Sequence, residues 1–221
     1  DCTENRADLA SHFDFSQERW RYFRRDSTSG SLSREYIAYG NKTGFTDTVD
    51  SYIIEPTSTD YIAQLETAER FRYNVGYTSK ISFAFQTNQS LKSGDKVVMG
   101  YGDPDLENNM ASADGWFIEF VPSLSDSECY FNTYRNGTLV SNGGSNNVVQ
   151  LEKGITDWRR FEIELNWYNI SSSKLVESYT NSDGCQIDEC QSRTSPTDKK
   201  GPQTANKKLT FSIRGGGNGT S

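Results

Sequence analysis

Hydrophobic and polar residues alternate one by one along much of this chain. The alternation is longest in 78–87, where Ile81, Phe83 and Phe85 fall on one side, and in 158–168. A period of two is typical of a β-strand that buries one face and leaves the other in water. Both stretches are therefore predicted to be strands of an antiparallel sheet.

Shorter stretches repeat this pattern, and glycine-containing turn signals separate them. The shorter predicted strands are 19–25, 35–39, 52–55, 70–75, 96–101, 116–121, 130–135, 148–151, 174–179 and 208–214, and the turn signals are Ser93-Gly94, Asp114-Gly115, Asn136-Gly137 and Asp183-Gly184. Asn-Gly suits the positive φ angles of a type I′ hairpin turn. The predicted fold is all-β, an antiparallel β-sandwich or jelly roll of the concanavalin-like kind with about a dozen short strands. At most one short helix is expected, at 61–70.

Composition and length indicate a single folded domain. The 221 residues are only 33% hydrophobic, but 13% are aromatic, so large rings must supply much of the core. Sandwiches of this length commonly form one domain. We predict one domain over 1–214, which includes a long polar loop at 191–206, followed by a flexible glycine-rich end at 215–221.

The charge balance argues against nucleic acid and membranes as partners. The formal net charge is −7, whereas a phosphate backbone or an anionic membrane attracts clustered Lys and Arg. Arginines do alternate with rings in 19–25, but that is the pattern of a strand with guanidinium groups facing outward. No apolar run reaches the ~20 residues that a membrane-spanning helix needs, so no direct membrane insertion is expected.

The cysteines and glycosylation sequons favour an extracellular address. Four cysteines allow two disulfides, and we predict a local Cys185–Cys190 bond, which leaves Cys2 to pair with Cys129. Disulfides persist in oxidising surroundings. The pattern Asn-X-Ser/Thr, a candidate for N-glycosylation, occurs at Asn41, Asn88, Asn136, Asn169 and Asn218.

Catalytic chemistry has few candidate residues. The chain has one histidine, His12, so a histidine-based triad is not expected. Sandwich glycosidases use two carboxylates about 5–10 Å apart. Glu162 and Glu164 on one strand, or Glu119 on another, are the candidates for such a pair, although alternating Glu is also the ordinary pattern of a solvated strand face. We therefore predict that the chain is not an enzyme.

One acidic loop has the composition of a calcium site. Asp103, Asp105, Glu107 and Asn109 occupy alternating positions after a predicted strand. Calcium prefers hard oxygen ligands at this density, although the spacing is not that of an EF-hand. Calcium is thus the one candidate cofactor, and a merely solvated acidic loop is the alternative.

Aromatic side chains near loops are candidates for contacts with sugar rings. They are Tyr101, Trp116, Tyr134 and Tyr168. Rings combine a large apolar surface with a polar edge, which suits stacking on a pyranose. The alternative interpretation is that such rings, Trp116 in particular, belong to the core.

A series of short motifs resembles the β-sandwich modules of haloarchaeal virus structural proteins, of tail, fibre or spike type. The motifs are VGYT at 75–78, SFAF at 82–85, GDKVVMGYGD at 94–103, DGWFIEF at 114–120, YRNG at 134–137 and FEIELNWYN at 161–169. The similarity covers about residues 70–180 of the chain. Two features depart from the family pattern: Asn169 stands where a Gly follows Trp-Tyr, and the Cys185–Cys190 loop has no counterpart.

The resemblance implies a non-enzymatic virion or cell-surface protein for structure or adhesion. Such a protein is expected to recognise a host-surface glycan or glycoprotein, to contact other virion proteins and to form a homo-oligomer. A purely structural capsid, tail or appendage subunit is the first alternative. The second is a concanavalin-like polysaccharide-cleaving enzyme that uses the carboxylates named above.

Overall fold

The computed structural model describes most of the central part of the chain and shorter pieces towards both ends. The described residues are 20–25, 33–37, 45–47, 52–54, 61–71, 79–140, 147–165, 174–180, 185–192, 202–203 and 206–215. Every regular element in them is a β-strand, and none of them forms a helix that could cross a membrane. The predicted all-β class is confirmed.

The strands form two main antiparallel sheets and a small hairpin. In chain order the strands are β1 Trp20–Arg25, β2 Ser33–Ile37, β3 Phe45–Asp47, β4 Tyr52–Ile54, β5 Ile62–Thr67, β6 Ser79–Phe85, β7 Lys96–Asp103, β8 Asp114–Phe120, β9 Glu128–Arg135, β10 Thr138–Leu139, β11 Val148–Gln150, β12 Arg159–Leu165, β13 Lys174–Thr180, β14 Gln186–Ser192 and β15 Leu209–Arg214. The large sheet has nine strands, in the order β10-β9-β8-β7-β15-β5-β1-β2, with β11 also paired to β9. The small sheet has the order β14-β13-β12-β6, and β3 pairs with β4.

The main core lies between the two sheets. Alternate residues of β8 and β12 point into it, and Trp116, Ile118, Phe161 and Ile163 are almost fully buried there. The ring of Phe83 on the small sheet meets Phe211 on the large sheet edge to face, with ring centroids 5.1 Å apart. Packing of two apolar faces in this way is what holds a β-sandwich together, and it leaves each sheet with one outer face.

The expected helix at 61–70 is wrong, because residues 62–67 form strand β5. Tyr61, Ala63 and Leu65 belong to the core between the sheets, while Ile62 belongs to a second apolar cluster on the outer face of the large sheet. A strand that is covered on both faces does not alternate cleanly between apolar and polar residues. Its apolar spacing can therefore be mistaken for that of a helix.

Candidate functional site

The outer face of the large sheet carries the most strongly enclosed acidic side chain of the predicted candidates. On β8, Trp116, Ile118 and Phe120 point into the core, so alternation places Phe117 and Glu119 on the outer face. The register aligns Glu119 with Val98 on β7 and with Tyr130 on β9. Glu119 is only 2% exposed.

Three neighbours hold the Glu119 carboxylate. The Lys96 ammonium lies 2.7 Å from Oε2, and the Asn132 side-chain amide donates to Oε1 at 2.8 Å. Asn147 in turn donates to Asn132 Oδ1 at 2.6 Å. Burial, together with the charge of Glu119 and a hydrogen bond to it, raises the pKa of Tyr134 well above its usual range. We call this group, formed by Lys96, Glu119, Asn132 and Tyr134, the Glu119 cluster.

A second carboxylate lies close to this cluster on the same face. Because Glu119 is opposite Tyr130, the register makes Glu128, two residues earlier on β9, its diagonal neighbour. Such neighbours are about 7–8 Å apart. Hydrogen bonds from the Ser125 amide and from Gln150 lower the pKa of Glu128. The two carboxylates thus have different surroundings, one enclosed beside a cation and one at the surface.

A loop closes the outer face at the other end of β8. Phe117 is fully buried and packs with Leu106 and Met110 of the β7–β8 loop. Its ring has room because Gly102 and Gly115 lie opposite each other on β7 and β8. A Cβ on either glycine would come within 3.0 Å of the Phe117 ring. The enclosed end is therefore apolar, whereas the Glu119 end is polar.

The Glu119 end remains partly open to solvent. Lys96, Tyr130 and Tyr134 are half-buried rather than buried, although they surround an enclosed carboxylate. Ligand groups that approach along these side chains can come close to Glu119. The arrangement combines an acid–base group, hydrogen-bond donors and two aromatic rings on one face.

The other predicted carboxylates lie on the opposite side of the molecule. Glu162 and Glu164 are on β12 of the small sheet and face outward. Both form ion pairs with Lys80, at 3.1 and 3.2 Å, and their side chains are 17% and 25% exposed. Arg160 is also near Glu162, at 3.8 Å. This is a solvated strand face whose charges neutralise one another.

Two of the predicted sugar-binding rings are core residues instead. Tyr101 and Trp116 are nearly fully buried, and their ring centroids are 6.4 Å apart inside the sandwich. Both occupy inward positions of central strands, so neither can stack on a ligand. Tyr134 does lie on the outer face, packed against Phe117 at 6.1 Å. Tyr168 lies outside the described residues.

The acidic side chains of the predicted calcium loop have protein partners, and the loop stays a prediction as a calcium site. Asp103 is at the end of β7 and is held by Arg70 at 2.8 Å and by Lys207 at 3.2 Å. Asp105 instead accepts hydrogen bonds from Asn108 and Ser112. Glu107 and Asn109 follow in the same loop, and no group of three His, Cys, Asp or Glu in the described part of the chain converges as metal ligands would.

Cys2 lies outside the described residues, so its bond to Cys129 stays a prediction. Cys129 is a fully buried thiol on β9. Burial raises the pKa of this thiol, which makes it unreactive. Cys185 directly precedes the extended strand β14, which contains Cys190. Residues that far apart along a strand are separated by roughly 13 Å or more, whereas a disulfide needs Cα atoms within about 7 Å.

Two of the glycosylation sequons are in described and exposed loops. Asn88 follows β6, and Asn136 lies in the β9–β10 hairpin turn, with φ angles of 45° at Asn136 and 77° at Gly137. The hairpin predicted from Asn-Gly is therefore present. Asn41, Asn169 and Asn218, like His12, lie outside the described residues.

The sequence analysis found Glu119 but missed the residues around it. Asn132 was not singled out. The alternation on β9 does give a signal, because the apolar Cys129 and Phe131 fall on one face and Tyr130 and Asn132 on the other. Lys96 was seen only as the start of a strand. What the sequence lacks is the strand order, which brings β7, β8 and β9 together.

Comparisons with known proteins give matches only among solved structures. No family model and no curated protein matches the chain. A native glycosidic hydrolase aligns with 94% of this chain and 81% of its own at 17% identity, with a TM-score of 0.44. The β-glucanase of Bacillus licheniformis aligns with 96% of this chain and 88% of its own at 11% identity, with a TM-score of 0.46. A prokaryotic β-1,3-1,4-glucanase (lichenase) derived from a mouse hindgut metagenome aligns with 88% of this chain and 66% of its own at 14% identity, with a TM-score of 0.37.

These matches correct the function predicted from the sequence. All three are named as glycosidic hydrolases or glucanases, and none of the three is a virion or adhesion protein. The prediction of a non-enzymatic virion or cell-surface structural protein is therefore wrong on this comparison, and so is the prediction that the chain is not an enzyme. At these identities the likeness concerns the fold, so any activity has to be argued from the residues of this chain.

Proposed function

We propose that this protein cleaves glycosidic bonds in a polysaccharide and that Glu119 is one of its two reacting carboxylates. The observation that carries the proposal is the enclosure of Glu119, at 2% exposure, on a sheet face that also bears Lys96, Asn132 and Tyr134. A carboxylate whose orientation is fixed by several donors is positioned for proton transfer or for attack on a sugar carbon.

Glu128 is assigned as the second carboxylate. Hydrolysis of a glycosidic bond requires one group to give a proton to the leaving oxygen while the other assists water or attacks the anomeric carbon. Diagonal neighbours on paired strands lie about 7–8 Å apart at the backbone, so the side chains of Glu119 and Glu128 can reach the carboxyl separation of about 5–10 Å that such pairs use. Their surroundings differ, since Glu119 is enclosed beside Lys96 and Glu128 lies at the surface with a lowered pKa, which suits Glu128 to act as the ionised carboxylate.

The surrounding side chains suit a sugar polymer. Tyr130 is next to Glu119 across the strand pair, and Tyr134 follows on the same side of β9. Partly exposed tyrosines offer ring faces for stacking and hydroxyl groups for hydrogen bonds. The buried amide of Asn132 instead fixes the orientation of the Glu119 carboxylate.

The proposal is tested by measuring release of reducing ends from a panel of neutral polysaccharides, including mixed-linkage β-glucans. We expect the wild type to be active on at least one of them and Glu119→Gln to lower kcat by about 10²–10⁴-fold, with an unchanged circular dichroism spectrum. Glu128→Gln is expected to lower kcat by a factor in the same range.

Glu164→Gln is the matched control, because it makes the same change on the outer face of the small sheet. It should retain wild-type activity. The proposal is overturned if the wild type cleaves none of the polymers, or if folded Glu119→Gln remains as active as Glu164→Gln.

A further inference from the structure

The small sheet presents an exposed tryptophan that the proposed reaction does not use. Trp158 is 57% exposed and directly precedes β12. Tryptophan is usually mostly buried, and the other large apolar side chain exposed in the described residues is Leu139, at 45%. The backbone alternation that sends Arg159 and Phe161 inward sends Trp158 outward, on the same side as Arg160.

The backbone that carries Trp158 is fixed from both sides. The Asp157 amide donates to Gly154 O at 3.0 Å, and the Gly154 amide donates to Asp157 Oδ2 at 3.2 Å. The buried Arg159 donates to Lys153 O at 2.8 Å and lies 3.7 Å from Glu177. The indole is thus held out by an ordered turn, so a ligand that stacks on it need not order the backbone first.

The cross-strand neighbours of Trp158 are polar and uncharged. Arg159 pairs with Phe85, so Gln86 is the neighbour of Trp158 on the β6 side of the sheet. Arg160 pairs with Ser178, so Thr180 is the neighbour on the β13 side. Both neighbours are exposed. An indole flanked by an amide and a hydroxyl offers a stacking surface with hydrogen-bonding groups at its edges.

Charges further along this face neutralise one another. Lys80 pairs with both Glu162 and Glu164, and Arg160 lies beside Glu162. The face therefore has no excess of one sign among its described side chains, and the chain as a whole carries −7, which repels acidic polymers. The electrostatics favour an uncharged partner.

From these observations we infer that the outer face of the small sheet around Trp158 is a second polysaccharide-binding surface. It binds a neutral sugar polymer by stacking one pyranose ring on the indole, with Gln86 and Thr180 contacting its hydroxyl groups. This inference rests on the proposed function, since it places the same polymer on the face opposite the Glu119 cluster. Binding at two faces raises the local concentration of a long polymer but does nothing for an oligosaccharide too short to reach both.

The test separates binding from turnover with Trp158→Ala. Binding is measured by co-sedimentation with an insoluble neutral polysaccharide that the enzyme cleaves, and turnover with a short soluble oligosaccharide. The protein is produced in a bacterial host so that no N-glycan is attached at the exposed sequon Asn88. A glycan there would lie near the tested surface, because the adjacent Thr87 contacts Ile155. We expect Trp158→Ala to weaken polymer binding about 10-fold or more and to leave oligosaccharide turnover unchanged.

Two further variants make the outcomes distinct. Leu139→Ala removes the other exposed large apolar side chain and should bind polymer like the wild type. Glu119→Gln should lose turnover and keep polymer binding. Wild-type polymer binding by Trp158→Ala overturns the second surface and leaves the proposed function standing. The second surface is also overturned if Trp158→Ala loses oligosaccharide turnover as strongly as it loses polymer binding, because the indole would then belong to the reacting site.

Discussion

The two outer faces of the sandwich are built from the same kind of strand, but their glutamates differ in exposure to solvent. On the large sheet, Glu119 is enclosed and shares its environment with Phe117 and Val98, both fully buried. On the small sheet, Glu162 and Glu164 lie partly in water around Lys80. The sequence letters of the two glutamate-bearing strands are similar, FIEF in β8 and FEIEL in β12.

The difference shows that neighbouring elements, rather than the sequence of the strand itself, determine whether a glutamate is enclosed or solvated. Side chains of the flanking strands, Lys96 on β7 and Asn132 and Tyr134 on β9, surround Glu119. A charge in that setting depends on its partners, because desolvation makes an unpaired charge costly. On the open face, water replaces a lost partner at little cost.

The largest expected contrast is between the apolar side chains of the two faces. Phe117→Ala removes a fully buried ring and leaves a cavity under the β7–β8 loop, so it should lower the free energy of unfolding by about 3–5 kcal/mol. Trp158→Ala removes an exposed indole and should change it by less than about 0.5 kcal/mol. Urea denaturation monitored by circular dichroism measures both values, and equal losses would show that the two faces are not different.

A smaller contrast is expected between the lysines. Lys96→Met leaves the enclosed Glu119 without its cation while Asn132 still donates, so the expected loss is about 2–3 kcal/mol. Lys80→Met disrupts exposed pairs and should cost less than about 1 kcal/mol. Both are measured by the same denaturation experiment.

Added salt gives an independent check on the lysine pair. Exposed pairs are screened more strongly than enclosed ones. Raising the salt concentration should therefore reduce the effect of Lys80→Met more than that of Lys96→Met. The reverse ranking would contradict the burial of the Glu119 cluster.

The smallest contrast is in alkaline solution and concerns Tyr134. Burial and Glu119 raise its pKa in the folded protein, so its contribution to stability is complete below the unfolded value of about 10 and is lost as the pH rises through the folded value. We expect Tyr134→Phe to cost about 1 kcal/mol at neutral pH and progressively less above pH ~10. A stability difference that stays constant across this range would show that the pKa of Tyr134 is not raised in the folded protein.

Lys80 also titrates in alkaline solution but for a different reason. Burial lowers its pKa, while hydrogen bonds to Glu162 and Glu164 raise it, and the net direction is upward. The exposed pair therefore contributes below about pH 10.4 and loses its contribution above the folded value.

Much of the fold follows from local pattern because each strand shows its own faces. The alternation of Phe83 and Phe161 with polar neighbours predicted β6 and β12, and Asn136-Gly137 predicted the β9–β10 turn. The pattern failed at β5, where both faces are covered, and there it was mistaken for a helix. Local pattern also identified Glu119 as a candidate without showing that it is enclosed.

The candidate site could be predicted only in part because it is assembled across strands. Lys96 and Asn132 reach Glu119 only because β7 and β9 flank β8. The same limitation applies to Asp103, because Arg70 and Lys207 are distant from it in sequence and yet contact its carboxylate oxygens. Long-range charge partners of this kind leave no local signal.

The position of β15 has a consequence for how the chain acquires its structure. This strand follows all the other described strands in the chain, yet it lies between β7 and β5 in the large sheet. Until residues 209–214 are synthesised and paired, β1, β2 and β5 have no hydrogen-bonded connection to β7, β8 and β9. Such long-range pairing is slow and leaves unpaired strand edges exposed to aggregation. The large sheet is therefore expected to be completed by a strand inserted into its middle rather than added at its edge.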